Sequence, residues 1–185
     1  AEDLPHLNSS LQDTIDSIMN SKRPILIAGW GVHLSNTEVE FLKFAESFNI
    51  PIALTWGAAD LIPFDHDLYV GTFGTHGNRH ANFAVQNADL IISLGSRLDT
   101  KSTGSPINTF AREARKIMVD IDINELNKFQ YFDLKFDQLI HCDLRDFFNN
   151  FSKLESTKDT NNNLEWLKQI NKWKHQFISF DDTKG

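Results

Sequence analysis

Residues 23–31 read Arg-Pro-Ile-Leu-Ile-Ala-Gly-Trp-Gly. Pro24 to Gly29 is a short, continuous apolar run with no polar alternation, which suits a strand buried on both faces. Gly29-Trp30-Gly31 then turns the chain. Beyond the turn, Ser35 and Glu38 have capping-box spacing, and Phe41, Phe44, Ala45 and Phe48 fall on one helical stripe. A buried strand, a glycine turn and an amphipathic helix form the unit from which parallel sheets are built.

Working outward, the unit recurs. Upstream, a lead-in precedes a helix carrying Leu11, Ile15, Ile18 and Met19, with Asn8, Ser9 or Ser10 as the expected cap. Downstream, Pro51 to Thr55 is a second buried-type strand, and residues 56–77, Gly-rich and aromatic without period, read as a long structured loop. Ala81, Ala84, Val85 and Ala88 mark a helix whose inner face is small enough to lie close to a sheet. Asp89 to Gly95 is a third strand, Lys116 to Asp122 a fourth and Phe136 to Cys142 a fifth, with residues 96–109 as loop. A helix with Leu144, Phe147, Phe148 and Phe151 follows. Strands alternating with helices give an α/β fold, a parallel sheet covered on both faces by right-handed crossovers. Residues 1–157 form this domain. Residues 158–163 are a polar linker, and Trp166, Ile170, Trp173 and Phe177 form a stripe on a last helix. That stripe either packs back on the domain or faces a domain absent from this chain.

Composition bounds the function. The chain has 185 residues, 41% hydrophobic and 23% charged, a globular balance. No apolar run approaches the ~20 residues of a membrane span. A net charge of −7 argues against a nucleic-acid face. The single cysteine, Cys142, excludes disulfide scaffolds and Cys-rich zinc sites and fits a reducing compartment. The first residues carry no basic region followed by an apolar one, so no signal peptide is visible and a cytoplasmic location is expected.

Ligands of open parallel sheets bind beyond the carboxyl ends of the strands. Those ends carry Gly29-Trp30-Gly31, Thr55-Trp56-Gly57, Gly95-Ser96-Arg97 and Asp120-Ile121-Asp122, and eight of the nine glycines lie between positions 29 and 104. Glycine lets backbone N–H groups approach a phosphate, so a nucleotide site is the leading reading; tight strand-to-helix turns alone are the other. Leu34 stands where the third glycine of a dinucleotide fingerprint belongs, and Thr55 where the ribose-binding acid belongs, which disfavours a NAD dehydrogenase. His76 and His80 have the i, i+4 spacing of a metal pair, but no Glu lies between them in the zinc-protease pattern, and Gly74 and Gly77 put the helix start after His76. Cys142 has no evident His partner and reads as a buried thiol. No phosphate-binding Gly-Lys-Ser/Thr loop and no Gly-x-Ser-x-Gly elbow occurs, so no catalytic constellation is legible.

Four stretches together carry a resemblance: residues 23–31, Phe73 to Gly77 (FGTHG), Ala84 to Gly104 (AVQNADLIISLGSRLDTKSTG) and Val119 to Leu126 (VDIDINEL). In this order and at this spacing they resemble the central domain of thiamine-diphosphate enzymes, most of all the acetolactate synthase catalytic subunit, over about Leu11 to Phe148. The tail with Trp166 and Trp173 is similar to the connector toward the next domain.

The resemblance implies a noncatalytic, Rossmann-like middle domain that holds FAD, ADP or nothing. The parent would decarboxylate a 2-keto acid, pyruvate, and transfer the two-carbon unit. Its outer domains would bind thiamine diphosphate and magnesium and form the middle domain's partners, and the full-length chain would be a homo-oligomer. The family's Gly-Asp-Gly diphosphate motif with its later Asn does not occur here, so this chain alone is not expected to be active. Carried over residue by residue, the flavin-binding pattern falls on Gly29 and Gly31, on Thr55 and Trp56, and on Gly74, Thr75 and His76. It continues through Gly95, Arg97 and Asp99 to Asp120, Ile121 and Asp143. Three positions depart from the family: Trp30 within a run of glycines, Lys101 for an arginine, and Cys142 for the glycine before Asp143. A free-standing nucleotide-binding regulatory module is the alternative from another class.

Overall fold

The computed structural model describes residues 4–154 and 163–178. In chain order the elements are α1 (Leu4–Asn20), β1 (Pro24–Ala28), α2 (Gly31–Leu34), α3 (Glu38–Ser47), β2 (Ile52–Leu54), β3 (Tyr69–Thr72) and α4 (Arg79–Asn87). They continue with β4 (Leu90–Leu94), α5 (Thr100–Thr103), β5 (Arg115–Asp120), α6 (Ile123–Asn127), β6 (Gln138–His141), α7 (Leu144–Leu154) and α8 (Leu164–Ile178).

The six strands form one sheet in the order β3-β2-β1-β4-β5-β6, with every neighbouring pair parallel. This is the expected α/β architecture with helices on both faces. Successive side chains of a strand point to opposite faces, and β1 divides accordingly. Leu26 and Ala28 join α1, α3 and α7 through Leu11, Phe41, Phe44 and Phe147. Ile25 and Ile27 join α4, α6 and α8 through Ala81, Val85, Leu126, Trp166 and Ile170. All five residues of β1 are buried, as the unbroken apolar run predicted.

Several sequence expectations are corrected. Residues 56–77 are not all loop, because Tyr69–Thr72 is an edge strand beside β2. Its pleat is broken by Gly71 at φ +123 and by a register shift opposite Ile52 and Ala53, so no alternation was there to read. The third, fourth and fifth expected strands are therefore β4, β5 and β6. The first helix already runs at Leu4, since Leu7 extends the stripe of Leu11, Ile15 and Ile18 by one turn, and Asn8, Ser9 and Ser10 lie inside it rather than at a cap. Ser35 and Glu38 form no capping box. Ser35 Oγ donates to the Gly31 carbonyl at 2.8 Å at the end of α2, while Glu38 is taken by His33 Nδ1 at 2.9 Å.

The last helix packs on the body. Trp166 and Ile170 are buried, and the Trp166 indole N–H donates to the Pro24 carbonyl at 3.1 Å. Trp173 and Phe177 contact Phe83 of α4 at ring distances of 5.8 and 5.2 Å. Of the expected linker, residues 158–162 lie outside the described residues. No helix among the described residues is long and apolar enough to cross a membrane.

Candidate functional site

Strand order turns back between β1 and β4, and in open α/β sheets that switch point opens a crevice at the strand ends. A cleft of about 890 Å³ occupies it, within the size range of small-molecule and cofactor sites. Its lining includes Gly29, Gly31, Thr55, Trp56, Thr75, His76, Gly95, Arg97, Asp99, Asp120 and Ile121. Eleven of the thirteen residues expected from the sequence are thus brought together. Gly74 and Asp143 are not in the lining.

The glycines act differently from the expectation. A Cβ on Gly29 would stand 2.3 Å from the Gly95 carbonyl oxygen, and one on Gly31 would stand 2.6 Å from Gly95 Cα. The turns after β1 and β4 lie against each other, and only glycine fits. Their N–H groups are committed as well: Gly29 to the Leu94 carbonyl, Gly31 to that of Gly95, and Gly95 to that of Val119, each at 3.0 Å. As phosphate donors these three are excluded. Among the described residues, no backbone carbonyl takes the N–H of Trp30, Ser96 or Arg97, so the available donors are the residues beside the glycines.

On the β2 side, Thr55 Oγ1 donates to the Ala28 carbonyl at 3.1 Å, and the Trp56 ring lies 5.7 Å from His76. The loop bearing Thr75 and His76 is tied to α5, with the Thr75 N–H on the Lys101 carbonyl at 2.8 Å. Gly74 serves that tie from beneath: its N–H donates to Asn82 Oδ1 at 2.8 Å, and a Cβ there would meet the Lys101 carbonyl oxygen at 2.4 Å. His80 is buried within α4, which begins at Arg79, so His76 and His80 do not share a helix face. The Trp30 and His33 rings meet tilted, with centroids 4.8 Å apart, and the neighbouring Glu38 and Asp60 carboxylates raise the imidazole pKa, Glu38 most.

Carboxylates and cations meet at the ends of β4 and β5. Asp99 caps α5, its Oδ1 accepting the Ser102 N–H at 3.0 Å, and Asp122 caps α6 by accepting the Asn124 N–H at 2.9 Å. Asp120 is only 8% exposed yet lines the cleft. Burial pushes its carboxyl pKa up, and the Asp122 N–H, donated to Oδ1 at 2.9 Å, partly opposes that. Among the described residues no hydrogen bond reaches its other oxygen. Arg97 Nε donates to Glu125 Oε1 at 3.0 Å. Ser96, Asp122 and Glu125 line the cleft without having been singled out as site residues. A signal for the last two existed: Asp122 and Glu125 have the N-cap and N3 spacing of a helix start. Asp143 instead holds the start of α7. It accepts the Arg145 N–H at 2.8 Å, and the Arg145 guanidinium lowers its pKa. Cys142 is buried.

The family model for the thiamine pyrophosphate enzyme central domain matches residues 11–149. The chain belongs to that family. Among curated relatives, a probable acetolactate synthase large subunit of Methanocaldococcus jannaschii is 36% identical over 165 residues, covering 89% of this chain and 28% of the relative. The acetolactate synthase large subunit of Cyanidium caldarium is 34% identical over 160 residues, 86% of this chain and 27% of the relative. That of Lactococcus lactis subsp. lactis is 33% identical over 180 residues, 94% and 30%. The expected family and domain therefore hold, and this central domain spans less than a third of the length of those relatives. Among the described residues no group of three metal-ligating side chains gathers.

Proposed function

We propose that the cleft binds the adenosine diphosphate part of a nucleotide, either ADP itself or FAD. The domain would be the noncatalytic middle of an acetolactate synthase-like enzyme. In that enzyme, thiamine diphosphate held with magnesium by outer domains supplies the decarboxylation of pyruvate and the transfer of the two-carbon unit. The carrying observation is that one cleft at the topological switch holds an exposed guanidinium, Arg97, and a buried carboxylate, Asp120, with an acceptor oxygen uncommitted. Arg97 suits a phosphate, which it meets bidentately. Asp120 suits a ribose hydroxyl or an adenine amine, and the N–H groups of Trp30, Ser96 and Arg97 add neutral donors near the phosphates. The donor set and the volume both fit the group.

Trp30 and Trp56 are exposed at the cleft, so tryptophan emission reports occupancy. Titration with ADP, FAD and FMN should show quenching by ADP and FAD at lower concentrations than by FMN, since the shared element is adenosine diphosphate. Arg97→Ala should weaken ADP about tenfold, near the low end for a bond to a charged group because this guanidinium is largely solvated. FMN binding as tightly as FAD, or Arg97→Ala titrating like the parent, would overturn the assignment.

A further inference from the structure

Glu125 stands between two cations. Its Oε1 accepts from Arg97 Nε at 3.0 Å, and its Oε2 accepts from Lys128 Nζ at 2.6 Å. The same ammonium donates to the backbone carbonyl of Arg97 and lies 4.9 Å from the ring centre of buried Phe129. Arg97 is therefore gripped twice, at its side-chain Nε and at its own main chain, by residues three positions apart on α6 and at its C-terminal end. The grip is one-sided. A guanidinium offers five N–H donors in a planar fork, Glu125 takes only the one on Nε, and among the described residues nothing takes the two terminal nitrogens. The Glu125 side chain is 18% exposed and that of Arg97 is 78%, so the anchored end is sheltered and the free end open.

We propose that Glu125 and Lys128 are positioning residues for Arg97, holding its guanidinium on the cleft wall so that both terminal nitrogens face a bound phosphate. This rests on the nucleotide reading of the cleft. An unrestrained arginine loses rotamer freedom when it binds. One already held by Nε loses less, and that preorganisation appears as affinity. The alternative role for a carboxylate beside an arginine is to cancel its charge, and the two roles differ in sign. Removing the Glu125 charge makes the corner more positive, so simple electrostatics strengthens ADP binding, whereas loss of positioning weakens it.

Calorimetry on the full chain with ADP and with adenosine separates them. Glu125→Gln should weaken ADP roughly two- to fivefold, the scale at which solvent-facing ion pairs act, and leave adenosine unchanged. Glu125→Asp keeps the charge but shortens the reach, so it should weaken ADP in the same way and covers a failure of the first variant to fold. In an Arg97→Ala background neither change should matter, because the coupling runs through Arg97. ADP bound by the parent and bound equally or more tightly by both variants would overturn the positioning role and leave the nucleotide reading standing. If the parent binds no ADP, the nucleotide reading fails, and the Arg97 Nε–H resonance decides the rest. A signal protected from water exchange in the parent and broadened in Glu125→Gln upholds the grip; equal exchange in both overturns it.

Discussion

Two histidines respond to pH in opposite directions because one is buried away from acids and the other sits between two. His80 lies beneath α8, where burial lowers its pKa, the Lys174 ammonium lowers it further, and the Val70 backbone partly opposes both. A folded value below the unfolded one means that the unfolded chain binds the proton more tightly. The contribution to stability is therefore complete above the ordinary value of about 6.5 and is lost as pH falls below it. For His33 the folded value is raised, so its contribution is present below that value and is lost as pH rises. Urea midpoints at pH 7.5 and 5.5 should show the parent losing more stability on acidification than His80→Gln, whose profile should be flatter. An identical acid loss in both proteins would show that His80 does not carry it. At this scale the sequence was legible in type and misleading in role. Gly29, Gly31 and Gly95 pointed to the right turns, but the physics that selects glycine there is contact between two main chains, which no single stretch of sequence displays.

At the scale of elements, α8 carries the clearest expectation. Its stripe of Trp166 and Ile170 is sealed into the same core as Ile25 and Ile27, and its indole N–H is satisfied by a strand carbonyl. Trp166→Ala should cost about 3–5 kcal/mol, the usual loss for a large buried aromatic, read as a lower denaturation midpoint. A change under about 0.5 kcal/mol, the size typical of surface substitutions, would mean that the helix is not docked in solution. The sequence displayed this stripe plainly but not what it faced, because periodicity names a buried face and never its partner. Strands buried on both faces were legible as unbroken apolar runs. The edge strand β3 was not, because its four residues include a glycine in a left-handed conformation. The expected capping box failed because spacing alone cannot reveal a competitor, and His33 takes the Glu38 carboxylate.

For the whole molecule, the architecture gathers Arg97, Asp120 and the cleft they line at one end of the sheet, and no diphosphate-magnesium motif occurs anywhere in the sequence. Calorimetry of this chain with thiamine diphosphate and magnesium should therefore register no saturable heat, since a metal-bridged diphosphate would lack dedicated oxygen ligands. A micromolar isotherm would show that these 185 residues hold a diphosphate site the sequence does not display. The alternating order of strands and helices was enough to give the fold class and the end of the sheet that holds the cleft.

The bond from Trp166 to Pro24 joins residues 142 positions apart, and it has a consequence for synthesis. A ribosome delivers Pro24 well before Trp166. When α7 has emerged, every strand of the sheet is available to pair and α4 and α6 can cover part of the face holding Ile25 and Ile27, yet the share that Trp166 and Ile170 supply is still missing. At elongation rates of about 5–20 residues per second that interval is on the order of seconds, long enough for nascent chains to meet one another or a chaperone. A ribosome stalled between α7 and α8 would hold out a finished sheet with one apolar flank only partly covered, and the uncovered part is where nascent-chain crosslinking should find its contacts.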